Sequence, residues 1–220
     1  MQSMRGVAAA VAANRPIVVG LCGGIACGKS SVREELAKLG AATIDADKVG
    51  HELYTPGHPV AMAVGDAFNV ATPDGGVDRK ALGAAVFGNK DAMKQLTDIV
   101  WPAIASNLER RITDIAAAPP APASGSMPVT IIEAAVLLEA GWQSMVDEVW
   151  VVSVARDVAV ARHARIDSQM SNDERLAHAH RSIDTSTPKD ELAAKVRAVW
   201  DALQADAAAA AGPAGDEPSS

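Results

Sequence analysis

The stretch "GLCGGIACGKSSV", residues 20–32, decides the fold that this sequence predicts. Gly23, four further residues and then Gly28, Lys29 and Ser30 satisfy the pattern G-x-x-x-x-G-K-[ST]. Phosphate oxygens need several backbone N–H donors that point inward, so glycine is required where the chain turns most tightly. Lys29 can then reach the β- and γ-phosphates of a nucleotide, and Ser30 can place its hydroxyl on Mg²⁺.

The flanking segments give this loop the context that the pattern requires. The β-branched run "PIVVGLC" before it predicts a buried strand, and Val32, Leu36 and Leu39 after it have helical spacing. Further strands are predicted in "AATIDAD", "VTIIEAAVLLEAG" and "DEVWVVSVA", with helical segments between them. This alternation predicts an α/β P-loop NTPase fold, a parallel sheet flanked by helices, with ligands at the carboxyl ends of the strands.

The rest of the chain divides by composition. One P-loop domain is expected over 16–205, with a mainly helical insertion at 58–115 that forms a substrate lobe. Residues 1–15 are expected to be a frayed, disordered start or a weak targeting segment. The Pro/Ala-rich stretch 116–128 reads as a loop, and 206–220 as a disordered tail.

Composition excludes several classes of protein. The chain has 220 residues and a formal net charge of −7, which argues against binding nucleic acid or an anionic membrane. No apolar run reaches the roughly 18 residues of a membrane span. Cys22 and Cys27 flank the glycine-rich loop, where reduced thiols are the better interpretation, so a cytoplasmic location is expected. An organelle is the alternative, because the N-terminus is rich in alanine and arginine.

Two carboxylates follow the second predicted strand. Asp45 and Asp47 in "IDADKVGHELY" are two residues apart, so in a strand both would point into one crevice. One could orient Mg²⁺ or its waters, and the other could accept a proton from an attacking hydroxyl. Two solvated acids in a turn are the alternative.

Six blocks together resemble a known family. "GLCGGIACGKSSV", "IDADKVGHELY", "GGVDRKALGAAVFGN", "LTDIVWPAI", "EAAVLLEAGW" and "RIDSQMS" occur in the order of dephospho-CoA kinases. The similarity runs from about Ile17 to Leu203 and looks closest to the kinase domain of animal CoA synthase. It implies ATP-dependent phosphorylation of the ribose 3′-hydroxyl of dephospho-CoA, on a fold like that of nucleoside monophosphate kinases, with 58–115 as the CoA-binding lobe.

The resemblance also implies residue roles. Asp47 matches the family's proposed base, and Asp45, Lys29 and Arg162 complete the expected catalytic set. The expected ATP site comprises Gly23, Gly24, Ile25, Ala26, Cys27, Gly28, Lys29, Ser30 and Ser31. The expected acceptor site comprises Asp47, His51, Tyr54 and Arg79, although a structural histidine and a solvated arginine are alternatives for His51 and Arg79. Mg²⁺ is expected at Ser30, Asp45 and Glu133.

Two features depart from the family pattern. Cys22 and Cys27 stand where the family usually has Thr and Ser, which replaces hydroxyls by poorer hydrogen-bond donors. A lid of about a dozen residues between an arginine like Arg162 and the "RIDSQMS" block is shortened here. Arg162 and Arg165 could partly replace it, and we expect slower turnover with more ATP hydrolysis in the absence of acceptor.

The sequence leaves two other classes of function open. One is a different small-molecule P-loop kinase, which a panel of acceptors would distinguish. The other is a nucleotide- or CoA-binding protein that has lost catalysis together with its lid. Binding without phosphoryl transfer would identify that second class.

Overall fold

The computed structural model describes residues 2–118, 126–154, 170–186 and 188–212. The strands are β1 Ile17–Gly23, β2 Ala42–Asp45, β3 Val129–Glu133, β4 Glu148–Ser153 and β5 Arg181–Asp184. The helices are α1 Gln2–Ala12, α2 Lys29–Lys38, α3 Ala46–Glu52, α4 Pro59–Phe68, α5 Arg79–Val86, α6 Lys90–Ala117, α7 Asn172–Ala177 and α8 Lys189–Ala211. A 3₁₀ turn, Trp142–Met145, precedes β4.

The five strands form one sheet in the order β2-β3-β1-β4-β5. The pairs β1–β3, β1–β4 and β4–β5 are parallel, and β1 is buried along its whole length. The predicted α/β fold and its four strands are therefore confirmed. The sequence analysis missed β5, because "RSID" is short and carries two charged side chains that hide the strand pattern.

The sheet brings the ends of its central strands to one edge. Gly23 at the end of β1 pairs with Val152 near the end of β4. Leu21 pairs with Glu133, the last residue of β3. The carboxyl ends of three neighbouring strands therefore lie around the start of the glycine-rich loop, as the parallel arrangement requires.

The first residues of the chain differ from the expectation of a frayed start over 1–15. They form α1, which packs on α8 and buries Val7 and Ala10 in the main core. Arg15 follows the helix and makes two hydrogen bonds of 2.7 Å to the Asp147 carboxylate. Alanine favours helix intrinsically, and the tertiary contacts supply the stability that so short a helix lacks alone.

The end of the chain also differs from the expected tail at 206–220. Helix α8 continues to Ala211, with Ala207 buried and Asp206 paired to Arg181 at 2.5 Å. Residues 213–220 lie outside the described residues. Of the predicted loop 116–128, the first two residues end α6, and residues 119–125 are again outside the described part.

The chain separates into two compact units. One comprises Met1–Ile44 and Ile112–Ser220, and the other is Asp45–Arg111. The second unit contains α4, α5 and the larger part of α6, and a bridge between Ala71 and Val77 closes the turn that joins α4 to α5. It starts at Asp45, so α3 and its side chains belong to this unit, which the sequence analysis did not foresee.

Among the residues described, no helix combines the length and the apolar character that crossing a membrane requires.

The contact between α1 and the sheet gives a stability test. In Gly6→Ala, the new Cβ would stand 2.4 Å from the Asp147 carbonyl oxygen, so we expect a loss of about 1–3 kcal/mol in the free energy of unfolding. Gly83→Ala in α5 is the matched control, because its Cβ would meet nothing within 4 Å. The control should gain about 0.5–1 kcal/mol. Urea denaturation measures both, and equal stabilisation by the two changes would contradict the packing of α1.

Candidate active site

The glycine-rich loop begins where β1 presses against β4. At Gly23 a Cβ would lie 2.3 Å from the Val152 carbonyl oxygen and 2.7 Å from the Cys27 Sγ. A backbone oxygen cannot move aside as the end of a flexible side chain can. Only glycine therefore fits at this first position of the predicted phosphate loop.

The loop continues through two residues in the left-handed region. Gly28 has φ of 88° and is the N-cap of α2, and Ala26 has φ of 60°. A non-glycine residue in that region costs about 1–2 kcal/mol and persists where surrounding contacts enforce it. The loop thus turns directly into the N-terminus of α2, whose first N–H groups and dipole favour an anion.

Lys29 folds back along the loop that precedes it. Its Nζ donates hydrogen bonds to the carbonyl oxygens of Gly23 at 2.9 Å and Gly24 at 3.0 Å. These two contacts hold the ammonium group beside the first half of the loop. The positive charge of Lys29 therefore lies against the backbone of the glycine-rich loop.

Thr185, just after β5, anchors the loop from the opposite side. Its Oγ1 donates to the Cys27 carbonyl at 2.6 Å and lies 3.1 Å from the Ser153 carbonyl oxygen. The side chain also lies 3.6 Å from the point where a Cβ on Gly28 would stand. The sequence analysis missed Thr185, since nothing in the "DTSTP" segment signals a contact with a loop more than 150 residues earlier.

Glu133 joins the end of β3 to the start of α2. Its Oε1 accepts a hydrogen bond of 3.0 Å from the Ser30 hydroxyl, and its Oε2 lies 2.9 Å from the Arg33 guanidinium. The glutamate is buried, whereas Ser30 is exposed. Of the three expected Mg²⁺ ligands Ser30, Asp45 and Glu133, the structure thus joins Ser30 and Glu133 by a hydrogen bond.

The two cysteines of the loop are buried free thiols. Burial raises the pKa of Cys22 to about 11, while Arg175 and Lys29 act in the opposite direction. Burial also raises the pKa of Cys27, again against an opposing effect of Lys29. Both side chains are therefore neutral near pH 7 and act as small apolar groups under the loop.

The geometry expected for Asp45 and Asp47 is wrong. The strand ends at Asp45, whose carboxylate accepts the Lys48 N–H at 3.1 Å as the N-cap of α3. Asp47 lies in the first turn of that helix and is exposed. The two acids therefore do not share one face of a strand. An aspartate that can cap a helix ended the strand two residues earlier than the apolar pattern suggested.

His51, Tyr54 and Arg79 come together within the unit Asp45–Arg111. The Arg79 guanidinium donates to His51 Nε2 at 2.7 Å, so that ring nitrogen is the acceptor. Burial raises the pKa of Tyr54, and the charge of Arg79 opposes this shift. Tyr54 also lines a cavity of about 410 Å³ beside the turn Thr72–Val77. The sequence analysis grouped these three residues with Asp47 as the expected acceptor site, and the structure places Arg79 next to His51 and near Tyr54.

The remaining predicted positions fall into two groups. Gly24, Ile25 and Ser31 lie in or just after the loop and are half-buried. Arg162 and the shortened lid fall within residues 155–169, outside the described residues.

Comparisons with known proteins agree on one family. The sequence pattern of the family "Dephospho-CoA kinase" matches residues 17–191. The dephospho-CoA kinase of Geobacter sulfurreducens is 36% identical over 197 residues, covering 83% of this chain and 96% of that protein. The dephospho-CoA kinase of Symbiobacterium thermophilum is 37% identical over 197 residues, covering 83% of this chain and 80% of that protein.

Solved structures show the same fold. The Thermus thermophilus protein TT1252 aligns with a TM-score of 0.63 at 24% identity, over 86% of this chain and 98% of that structure. The dephospho-CoA kinase from Campylobacter jejuni aligns with a TM-score of 0.58 at 23% identity, over 86% of this chain and 97% of that structure. At these identities the two structures support the architecture of the chain alone.

The anchor at Thr185 gives a test of the loop. Thr185→Val keeps the shape of the side chain but leaves the Cys27 carbonyl without this donor, and the expected cost is about 1–3 kcal/mol of stability. Because the loop loses its support, we expect the KM for ATP to rise as well. Thr185→Ser retains the hydroxyl and should stay close to the parent in both respects. Thermal denaturation and steady-state kinetics measure the two effects, and a valine variant that matches the serine variant would contradict the anchoring role.

Proposed function

The chain belongs to the dephospho-CoA kinase family, and we propose on that premise that it transfers the γ-phosphate of ATP to the ribose 3′-hydroxyl of dephospho-CoA. The observation that carries the proposal is the loop at the end of β1. There a glycine-enforced turn, a helix N-terminus and the Lys29 ammonium converge within a chain whose residues 17–191 match the family.

In the proposed reaction the loop binds the triphosphate of ATP. Backbone N–H groups from Gly24 to Ser30 donate to phosphate oxygens, and the dipole of α2 adds a favourable field. Lys29 exchanges the carbonyl oxygens of Gly23 and Gly24 for the β- and γ-phosphates. This exchange is favourable because a phosphate oxygen carries negative charge and a carbonyl oxygen is neutral.

Ser30 and Glu133 fit a Mg²⁺ ion that accompanies ATP. Ser30 Oγ and Glu133 Oε1 are hydrogen-bonded at 3.0 Å, so a hydroxyl and a carboxylate oxygen would be available together to such an ion. Groups of three or more His, Cys, Asp or Glu suited to a metal are absent from the described residues. This suits an ion that keeps several waters and binds mainly substrate phosphates. When bound, Mg²⁺ would neutralise phosphate charge.

Asp47 is the proposed base and Asp45 its neighbouring acid. Asp47 is exposed in the first turn of α3, and its carboxylate is the group that would accept a proton from the 3′-hydroxyl. Asp45 fixes the start of α3 through its hydrogen bond to the Lys48 N–H. The cap therefore helps to determine the direction in which Asp47 points.

The cluster of His51, Tyr54 and Arg79 is the proposed acceptor site. The Arg79 guanidinium can bind the diphosphate of dephospho-CoA through two parallel hydrogen bonds. The exposed contact with His51 Nε2 holds that guanidinium in one orientation before the acceptor arrives. Tyr54 supplies an aromatic surface and a hydroxyl at the side of the adjoining cavity.

We also propose a cytoplasmic location. Cys22 and Cys27 are free thiols although they are only five residues apart in the sequence. Reduced cysteines are typical of a reducing compartment. The organelle alternative stays a prediction.

An assay with several acceptors tests the proposed function. ADP release with Mg²⁺-ATP is measured in the presence of dephospho-CoA, adenosine, AMP or phosphopantetheine, and the product is identified by mass. We expect CoA from dephospho-CoA and no phosphorylated product from the other three. Phosphorylation of a different acceptor, or ATP binding without any product, would contradict the proposal.

The roles assigned to Lys29 and Asp47 predict that one substitution weakens ATP binding and the other lowers the rate of phosphate transfer. Lys29→Ala removes the charge at the β- and γ-phosphates, so the dissociation constant of ATP should rise at least tenfold. Asp47→Asn keeps the shape of the side chain but cannot accept the proton, so kcat should fall by about 10²–10⁴ while ATP binding changes less than threefold. Calorimetric titration and single-turnover kinetics measure the two quantities. An asparagine variant that turns over like the parent would exclude Asp47 as the base.

The acceptor site predicts a selective effect of Arg79. Arg79→Gln removes the guanidinium, so the KM for dephospho-CoA should rise about tenfold or more while the KM for ATP stays near that of the parent. Lys80→Gln removes one positive charge at the next residue of α5 and serves as the control. Both constants are measured by varying one substrate at saturation of the other. An equal rise of the KM for dephospho-CoA in the two variants would mean that net charge, rather than the Arg79 guanidinium itself, attracts the acceptor.

A further inference from the structure

Arg175 of α7 is a buried cation that the roles proposed above do not use. Arg175 is only 1% exposed, and it is one of the largest side chains that are fully buried. Ser171 and Glu174 form a capping box at the start of the helix, so the backbone that carries Arg175 is well fixed. A fully buried arginine is rare unless it is paired, and its partners therefore indicate its purpose.

The guanidinium lies between Glu139 and the phosphate loop. One terminal nitrogen is 3.1 Å from Glu139 Oε1, and the other donates to the Met170 carbonyl. That second nitrogen is also 3.6 Å from the point where a Cβ on Gly24 would stand. Gly24 thus has the Arg175 charge next to its α-carbon and the Lys29 ammonium on its carbonyl oxygen.

The two cations act on the same short part of the chain. Arg175 and Lys29 both oppose the rise that burial causes in the pKa of Cys22, and they do the same for Cys27. Like charges in one buried neighbourhood repel each other, which destabilises the fold unless an anion is present. Among the described residues, Arg175 is paired with the carboxylate of Glu139, which neutralises one of these two charges.

The pair of Arg175 and Glu139 is not fully hydrogen-bonded. Arg175 Nε and Glu139 Oε2 are buried and have no hydrogen-bond partner in the described part of the chain. A pair that served only to hold the fold together would gain from satisfying these atoms, or could be replaced by apolar side chains. A charge kept in this unfavourable setting is better explained by an anionic ligand of the loop.

We propose that Arg175 is a positioning residue of the nucleotide site, held beside Gly24 by Glu139 so that its charge adds to that of Lys29 in binding the terminal phosphates of a nucleoside triphosphate. The inference rests on the proposed nucleotide binding, but not on the identity of the acceptor. Through Arg175, α7 would act directly on the phosphate loop. Arg175 thereby supplies a positive charge in addition to any arginine of the shortened lid.

Nucleotide binding without acceptor tests the inference. Arg175→Gln can still donate a hydrogen bond but carries no charge, and Arg175→Lys restores the charge. Dissociation constants are measured by calorimetry for ATP and for adenosine, which lacks phosphates. We expect the glutamine variant to bind ATP at least tenfold more weakly, with adenosine changed less than twofold, and the lysine variant to lie between it and the parent.

A matched control separates a charge effect from lost stability. Arg181 pairs with the fully buried Glu148 at 2.8 Å, so Arg181→Gln also breaks a buried ion pair. That variant should melt at a lower temperature yet keep the parent's ratio of ATP to adenosine affinity. The inference would be overturned if Arg175→Gln kept the parent's ratio of ATP to adenosine affinity. It would also be overturned if Arg175→Gln and Arg181→Gln changed that ratio equally.

A measurement on the parent protein tests the inference even if Arg175→Gln fails to fold. Side-chain NMR of ¹⁵N-labelled arginine, assigned with Arg175→Lys, should show the Arg175 Nε signal shifting with ATP and not with adenosine. An Arg175 signal unmoved by ATP would overturn the inference. The parent's CoA formation is scored separately, so a parent that binds ATP through Arg175 yet makes no CoA contradicts the proposed function alone.

Discussion

The close approach of β1 and β4 at Gly23 is the constraint on which the phosphate loop depends. A Cβ at this position would lie 2.3 Å from the Val152 carbonyl oxygen, so the strand can end here only as glycine. The chain then turns through the left-handed residues Ala26 and Gly28 into α2. Strand, turn and helix N-terminus are thereby fixed together, and the proposed anion site rests on their geometry.

Polar contacts from distant segments keep this loop in place. Thr185 after β5 holds the Cys27 carbonyl, and Glu133 at the end of β3 holds the hydroxyl of Ser30. Lys29 lies in the same small region and supplies positive charge in a chain whose formal net charge is −7. A local pocket can thus oppose the sign of the whole protein, because short-range contacts in a partly buried site outweigh distant, screened charges.

Sequence reasoning succeeded where a function requires a local pattern. The loop around Lys29 and the four apolar strands could be predicted because glycine spacing and β-branched runs act over a few residues. It missed the contact of Thr185 with Cys27, which no local pattern encodes. It also expected disorder for α1, whose stability comes from burying Val7 and Ala10, and it placed Asp47 on a strand that ends at Asp45.

The claim at the centre of this account is that ATP held by the loop phosphorylates the ribose 3′-hydroxyl of the acceptor. A comparison of dephospho-CoA with its 3′-deoxy analogue tests it most directly, with binding measured by calorimetry and phosphate transfer by mass. The account predicts that the analogue binds with an affinity similar to that of dephospho-CoA and receives no phosphate. A phosphorylated analogue would contradict the account, because the phosphate would then have gone to another atom.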